Sequence, residues 1–240
     1  MITASSVVAA ELMSSTRPTA GSKPARVNSR LRPTAVIFDV GHVLYDWNPR
    51  YLYRRLIDDD RALDLFLRDV VTPDWHFQHD AGRRFADTSA ELIAQFPEHE
   101  ELIAAWGPHF LETLGDPVSG MPEIVAELEA ADVPLFAITN FSGEFWQPFR
   151  AREAWMFDRF CDIVVSGDEK LVKPDPAIYR LALDRFGLAP AQAVFFDDRQ
   201  DNVAAASALG IIGRHFINAD HCRADLVDLG IIAARYDQLE

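Results

Sequence analysis

Three apolar runs in this chain lead directly into residues that can do chemistry. Ala35-Val36-Ile37-Phe38 is followed by Asp39, Pro134-Leu135-Phe136-Ala137-Ile138 by Thr139-Asn140, and Ala193-Val194-Phe195-Phe196 by Asp197-Asp198. A fourth stretch, Leu171-Val172-Lys173-Pro174-Asp175-Pro176, carries a lysine just before a helix start. Brought together, these residues offer three carboxylates, a hydroxyl, an amide and an ammonium, a set that suits phosphoryl transfer. Asp39 would attack phosphorus in line and carry it as an aspartyl phosphate. Mg²⁺ binds oxygen donors, and Asp39, Asp198 and the Gly41 carbonyl offer three of them. Lys173 and Thr139, with nearby backbone N–H groups, would neutralise the transferring oxygens. Asp197 reads either as a further metal ligand or as the acid that orients Lys173 or a metal-bound water. Asn202 lies one helical turn beyond Asp198 and either faces the metal or caps the turn. Asn140 either binds substrate or only caps a helix.

Convergence of these residues requires that the apolar runs be strands of one parallel sheet. Runs of four to eight apolar residues bounded by turn signals read as buried strands, and open α/β sheets bind ligands at the strands' carboxyl ends. From Met121 onward strands alternate with helices: a helix over Pro122 to Ala131, the strand ending at Ile138, a strand Asp162 to Val165, a helix Pro176 to Phe186 stopped by Gly187, the strand ending at Phe196, and a last strand Gly213 to Ile217. That rhythm predicts a doubly wound parallel sheet with right-handed crossovers. Between the first and second strands, Pro49 to Leu114 shows only helical spacing, in about five short helices, with an N-cap at Thr72-Pro73 and a further start near Asp87. The fold class is therefore α/β, a Rossmann-like parallel core over residues 34–44 and 118–240, with an inserted helical module over residues 45–117. Trp47, Arg50, His76, His79, Arg83 and Arg84 are the insert's candidates for a substrate pocket, with His42 of the core beside them, against the plain reading of packed tryptophan and solvated arginine.

Composition narrows the partners. The chain has 240 residues, 49% hydrophobic and 25% charged, with a net charge of −14. Residues 1–33 hold five basic residues against one acid, so the remainder is more acidic still. Such a charge argues against nucleic acid or an anionic membrane as partner, and no apolar run reaches the roughly 18 residues of a membrane span. The expected partner is a small phosphorylated metabolite, with a homodimer left open. The first 33 residues read as a disordered tail with only a faint likeness to a transit peptide. Two distant cysteines, Cys161 and Cys222, suggest free thiols used in packing and a reducing, cytoplasmic location.

Four motifs in order, Phe38-Asp39-Val40-Gly41-His42-Val43-Leu44, Ile138-Thr139-Asn140, Lys173-Pro174-Asp175-Pro176-Ala177-Ile178-Tyr179, and Phe195-Phe196-Asp197-Asp198-Arg199-Gln200-Asp201-Asn202-Val203, resemble the haloacid dehalogenase superfamily from about Thr34 to the end of the chain. The resemblance implies a phosphatase with Mg²⁺ as cofactor and a cap formed by the insert. The Asp-x-Gly-x-Val first motif is most similar to the branch containing bacterial glucose-1-phosphate phosphatases. One departure matters: Gly41 stands where phosphatases of the superfamily usually carry a second aspartate, the acid that protonates the leaving group. Water, His42, or a cap residue such as His76 or His79 would have to take that role. Dehalogenases of the superfamily also lack the second aspartate, and they use no metal. Their neutral fourth motif contrasts with Asp197-Asp198, although Lys173 and Tyr179 match their pattern. Two further readings stand beside the phosphatase: a metal-free 2-haloacid dehalogenase, and a phospholigand-binding protein without turnover.

Overall fold

The computed structural model describes residues 32–234. The predicted tail over residues 1–33 lies almost wholly outside that range. Strands are β1 (Ala35–Phe38), β2 (Tyr45–Trp47), β3 (Leu114–Pro117), β4 (Leu135–Thr139), β5 (Asp162–Val165), β6 (Ala193–Asp197) and β7 (Ile212–His215). Five of them form one parallel sheet in the order β5-β4-β1-β6-β7. Because β1 is central, its last residue is flanked by strand ends on both sides. Phe38 is in register with Ala137 of β4 and Phe196 of β6. Continuing that register by one residue places Asp39 level with Asp197, and the Asp39 N–H donates to the Phe196 carbonyl at 2.9 Å. Two carboxylates thus meet at one sheet edge by strand register alone.

The strands alternate between two cores, as side chains of period two must. On one face Val36, Phe38, Ala137, Val194 and Phe196 pack with residues of the insert, among them Tyr45, Tyr53, Trp75, Trp106 and Phe110. On the other, Ala35, Ile37, Ile138, Val164 and Phe195 pack against Ile178, Tyr179, Ala182 and Leu183. Val36, Ile37 and Phe38 are fully buried. Each such burial contributes roughly 1.5–3 kcal/mol, which holds β1 firmly before its carboxylate is placed.

The insert contains α1 (Pro49–Tyr53), α2 (Asp60–Asp69), α3 (Pro73–Asp80), α4 (Phe85–Gln95) and α5 (Glu100–His109). Thr72 caps α3, its hydroxyl accepting from the Trp75 N–H, with Pro73 in the first turn. The helical spacing around Tyr51 to Ile57 yields only the five-residue α1. The chain enters and leaves the insert through an antiparallel ribbon, β2 with β3, pairing Tyr45 with Pro117 and Trp47 with Leu114. Helical spacing hid this ribbon, since three- and four-residue strands carry too few positions to show alternation. The core continues with α6 (Met121–Ala130), α7 (Gly143–Arg152), α8 (Ala154–Phe157), α9 (Ser166–Glu169), α10 (Pro176–Phe186), α11 (Gln200–Ala208) and α12 (Ala219–Asp228). Asp175 caps α10 and Gly187 ends it in the left-handed region, φ 66°. Both cysteines are free; Cys222 is buried, whereas Cys161 is exposed and has no packing role. Among the described residues no helix is long and apolar enough to cross a membrane.

Candidate active site

Asp39, immediately past β1, is at the centre of a buried ion cluster. Its Oδ2 lies 2.8 Å from Lys173 Nζ, and the same ammonium lies 2.7 Å from Asp197 Oδ2. Its other oxygen accepts from the Val40 N–H at 2.6 Å. Lys173 is 2% exposed and Asp197 fully buried, so neither charge is tolerable without the other. Burial lowers the Lys173 pKa, but Asp39 and Asp197 outweigh that and hold the ammonium above its ordinary value. Burial raises the Asp39 carboxyl most; Lys173 opposes, the Asp197 and Asp198 carboxylates add, and the result is about 7. Asp198 is raised as well, by burial and then by Asp197.

Asp197 is saturated with donors. It accepts from Lys173 Nζ, from the Arg199 N–H at 2.9 Å, and from Asn202 Nδ2 at 2.9 and 3.1 Å. Asp197 therefore contacts Lys173 directly and also belongs to the acidic group at this sheet edge. Asn202, on α11, gives its amide N–H to Asp197 while its Oδ1 is buried without a partner among the described residues. Ligand oxygens of Asp39, Asp197 and Asp198 lie within 4.8 Å of one another, the spacing of a site that can hold a metal ion.

The loop carrying Lys173 is locked by Asn140. The amide oxygen of Asn140 accepts from the Lys173 N–H at 2.8 Å, and its nitrogen donates to the Lys173 carbonyl at 3.0 Å. Asn140 thus holds the Lys173 backbone from both ends of its amide while also lining the cavity described below. Thr139 closes β4, buried, directly before it. Tyr179 is buried too, its hydroxyl donating to the Asn202 carbonyl at 3.0 Å.

A cavity of about 540 Å³ opens above this cluster. Asp39, Gly41, His42, Asn140, Lys173, Asp198 and Asn202 line it from the core, while Trp47, Pro73, His76, Phe77 and Phe110 contribute from the insert. Thr139, Arg50 and His79 are not among the lining residues. Arg50 pairs with Asp64 and, at 3.9 Å, with Asp60 on the insert's surface. His79 is fully buried, its Nε2 2.6 Å from Thr88 Oγ1 and its ring edge-on to Trp75. Helical spacing assigns a face but not what covers it, and these two residues face the insert's own interior and surface. Trp47 stacks on His76 with centroids 4.8 Å apart.

The structure adds one residue that sequence reasoning passed over. Asp80 ends α3, is 6% exposed, and lines the cavity. Its Oδ1 has no hydrogen-bond partner among the described residues, and its Oδ2 is 3.4 Å from His76 Nε2. Burial, then the Asp39 charge, raise its carboxyl to about 8 against opposing effects of Lys173 and the Ser142 backbone. The signal in the sequence was the i,i+4 pair His76 and Asp80, which puts an acid beside the histidine on one helix face.

The family described as haloacid dehalogenase-like hydrolase matches residues 33–210. A phosphorylated carbohydrates phosphatase of Thermotoga maritima is 42% identical over 184 residues, covering 74% of this chain and 82% of that protein. A sesquiterpene phosphatase of Aspergillus oryzae is 26% identical over 191 residues, covering 77% and 90%. Among solved structures, a HAD family enzyme of Bacteroides thetaiotaomicron, a magnesium complex, superposes with TM-score 0.61 at 18% identity, covering 78% of this chain and 94% of that one. That structural likeness carries the fold. None of these three bears the name of the glucose-1-phosphate branch.

Proposed function

Because the chain belongs to the haloacid dehalogenase-like hydrolases, we propose that it hydrolyses a phosphate monoester with Asp39 as nucleophile and Mg²⁺ as cofactor. The observation that carries this reading is the Asp39–Lys173–Asp197 cluster with Asp198 beside it: three carboxylates against one ammonium. Such a cluster is short of positive charge, and a phosphate dianion cannot approach it unless a cation joins. The donor set suits Mg²⁺, being all oxygen. Asp39, Asp198 and the Gly41 carbonyl would hold the ion, with the unpartnered Asn202 Oδ1 turned to its shell. Asp197 stays out of the coordination, because its oxygens already accept from Lys173, Asn202 and Arg199. Bound Mg²⁺ supplies charge neutralisation between the carboxylate nucleophile and the phosphate oxygens.

The chain's own residues do the rest. Asp39 Oδ attacks phosphorus, the ester P–O bond breaks, and an aspartyl phosphate forms; water then attacks that phosphorus and frees Asp39. Lys173 orients the nucleophile and neutralises phosphate oxygens, and Asn140 keeps the Lys173 backbone in place. Thr139, buried at the end of β4 and outside the cavity lining, is given no direct contact to the phosphate. Residues 45–117 act as a cap that shelters the reaction from bulk water, with Trp47 and His42 as the proposed contacts to the organic part of the substrate. Identity with the Thermotoga carbohydrate phosphatase supports a sugar phosphate. The aromatic wall of Trp47, Phe77, Phe110 and Phe141, with the sesquiterpene phosphatase relative, supports a second reading, an apolar alcohol phosphate.

A panel of sugar phosphates, prenyl phosphates and 2-haloacids, assayed with Mg²⁺ and with a chelator, tests the proposal. The expected result is turnover of one or more phosphates, reduced at least about 100-fold by the chelator, with no halide release. Halide release from a haloacid without metal would overturn it.

A further inference from the structure

In-line displacement by Asp39 pushes the leaving oxygen away from the core floor, towards the insert. The leaving alkoxide needs a proton there, and Gly41 has no side chain to give one. His76 and His79 do not fill the gap. Burial, with the charge of a neighbour, lowers His76 to about 3 and His79 to about 4, so both are neutral near pH 7. His79, moreover, does not reach the cavity.

Asp80 has the properties these histidines lack. It lines the same cavity as Asp39 and ends the insert helix α3. It is anchored at the seam between insert and core: Ser166 Oγ, just past β5, donates to the Asp80 carbonyl at 2.6 Å and accepts from the Phe141 N–H at 2.9 Å. A buried carboxyl oxygen without a partner is costly unless something in the reaction satisfies it, and Asp80 Oδ1 is such an atom. The carboxyl is also raised to about 8, so it carries a proton near neutral pH. Charged and titratable groups acting on it are His76 on its own helix and Asp39 and Lys173 of the core, which line the same cavity.

We propose that Asp80 is the general acid of this hydrolase, giving its carboxyl proton to the leaving oxygen from the insert side in place of the aspartate that Gly41 removes. The proposal rests on the phosphatase reading above. As Asp39 Oδ bonds to phosphorus and the ester P–O bond breaks, the Asp80 proton passes to the departing oxygen, which leaves as a neutral alcohol. The resulting Asp80 carboxylate takes a proton from the water that attacks the aspartyl phosphate. Phosphate is released, Asp39 is freed and Asp80 is protonated again, so the cycle consumes one water and needs no other reactant.

The experiment compares leaving groups in wild type and Asp80→Asn, an isostere of the neutral acid. Substrates are an alkyl phosphate, whose alkoxide needs a proton, and an aryl phosphate of an acidic phenol, which does not. The readouts are kcat/KM and the pre-steady-state burst of phenol. Expected is a loss of about 100-fold or more in kcat/KM for the alkyl ester, while the burst rate with the aryl ester falls less than about tenfold. An equal loss with both esters would assign Asp80 a structural role and overturn the proposal. Should Asp80→Asn fail a thermal-melt check, Ser166→Ala, which loosens the Asp80 anchor, carries the same comparison: a loss confined to the alkyl ester supports the acid role, an equal loss overturns it. Failure of the wild type on every phosphate would instead refute the phosphatase reading itself.

Discussion

Replacing Asp39 with asparagine is expected to lower phosphate ester turnover by about four orders of magnitude or more, because Asp39 is the proposed nucleophile. The amide keeps the shape of the carboxyl but lacks the charge that makes it a nucleophile and metal ligand. The fold should survive, since Lys173 keeps its second partner, Asp197, at 2.7 Å. Burial already raises Asp39 towards its neutral form, so losing its charge relieves part of a buried charge cost. A kcat measurement beside a urea denaturation curve separates the two effects. Near-complete loss of activity with a small change in stability supports the nucleophile. Retention of even a hundredth of wild-type activity would point to a different attacking group.

Lys173→Met is expected to damage stability and chemistry together. The ammonium is fully enclosed between Asp39 and Asp197. Removing one partner of a buried ionic cluster leaves unpaired charge in a medium that cannot solvate it, at a cost of about 3–5 kcal/mol. Two carboxylates facing each other would then share protons or move apart. Activity should fall by about 100- to 1,000-fold, the range for losing one preorganised electrostatic contact to the transferring group. Mg²⁺ should raise the melting temperature of the variant more than that of wild type, by partly replacing the missing cation. Urea unfolding and thermal melts with and without Mg²⁺ check these outcomes. A variant as stable as wild type would mean that the cluster is solvated and Lys173 is not its keystone.

The strand ends were legible in the sequence because each is a local pattern. Four buried apolar residues and then a polar one is a signal that burial of the sheet enforces, and the helix over Pro176 to Phe186 was marked by Asp175 at one end and Gly187 at the other. Register then does what composition cannot, by setting Asp39 level with Asp197. The ribbon of β2 and β3 escaped because Leu114-Gly115-Asp116-Pro117 has neither alternation nor strand-forming residues. Arg50 and His79 lie outside the cavity lining for a different reason. The spacing of a short helix shows which residues share a face, but only tertiary packing decides whether that face meets a cavity, the insert's own core or solvent. Asn140 reads from sequence as a substrate contact, and the fold adds what spacing does not show, its two bonds to the Lys173 backbone. Asp80 was missed because its chemistry comes from burial at the seam between insert and core, a property of the assembled fold and not of its neighbours in sequence.

The central claim is that Asp39 becomes covalently phosphorylated during turnover. Acid quenching of the Mg²⁺-loaded enzyme in steady-state turnover, followed by proteolysis and mass spectrometry, tests it most directly. The expected result is a peptide containing Asp39 that carries one phosphoryl group, lost on treatment with hydroxylamine and absent from Asp39→Asn. Turnover with no phosphoryl-enzyme, or with the phosphoryl group on another residue, would contradict it.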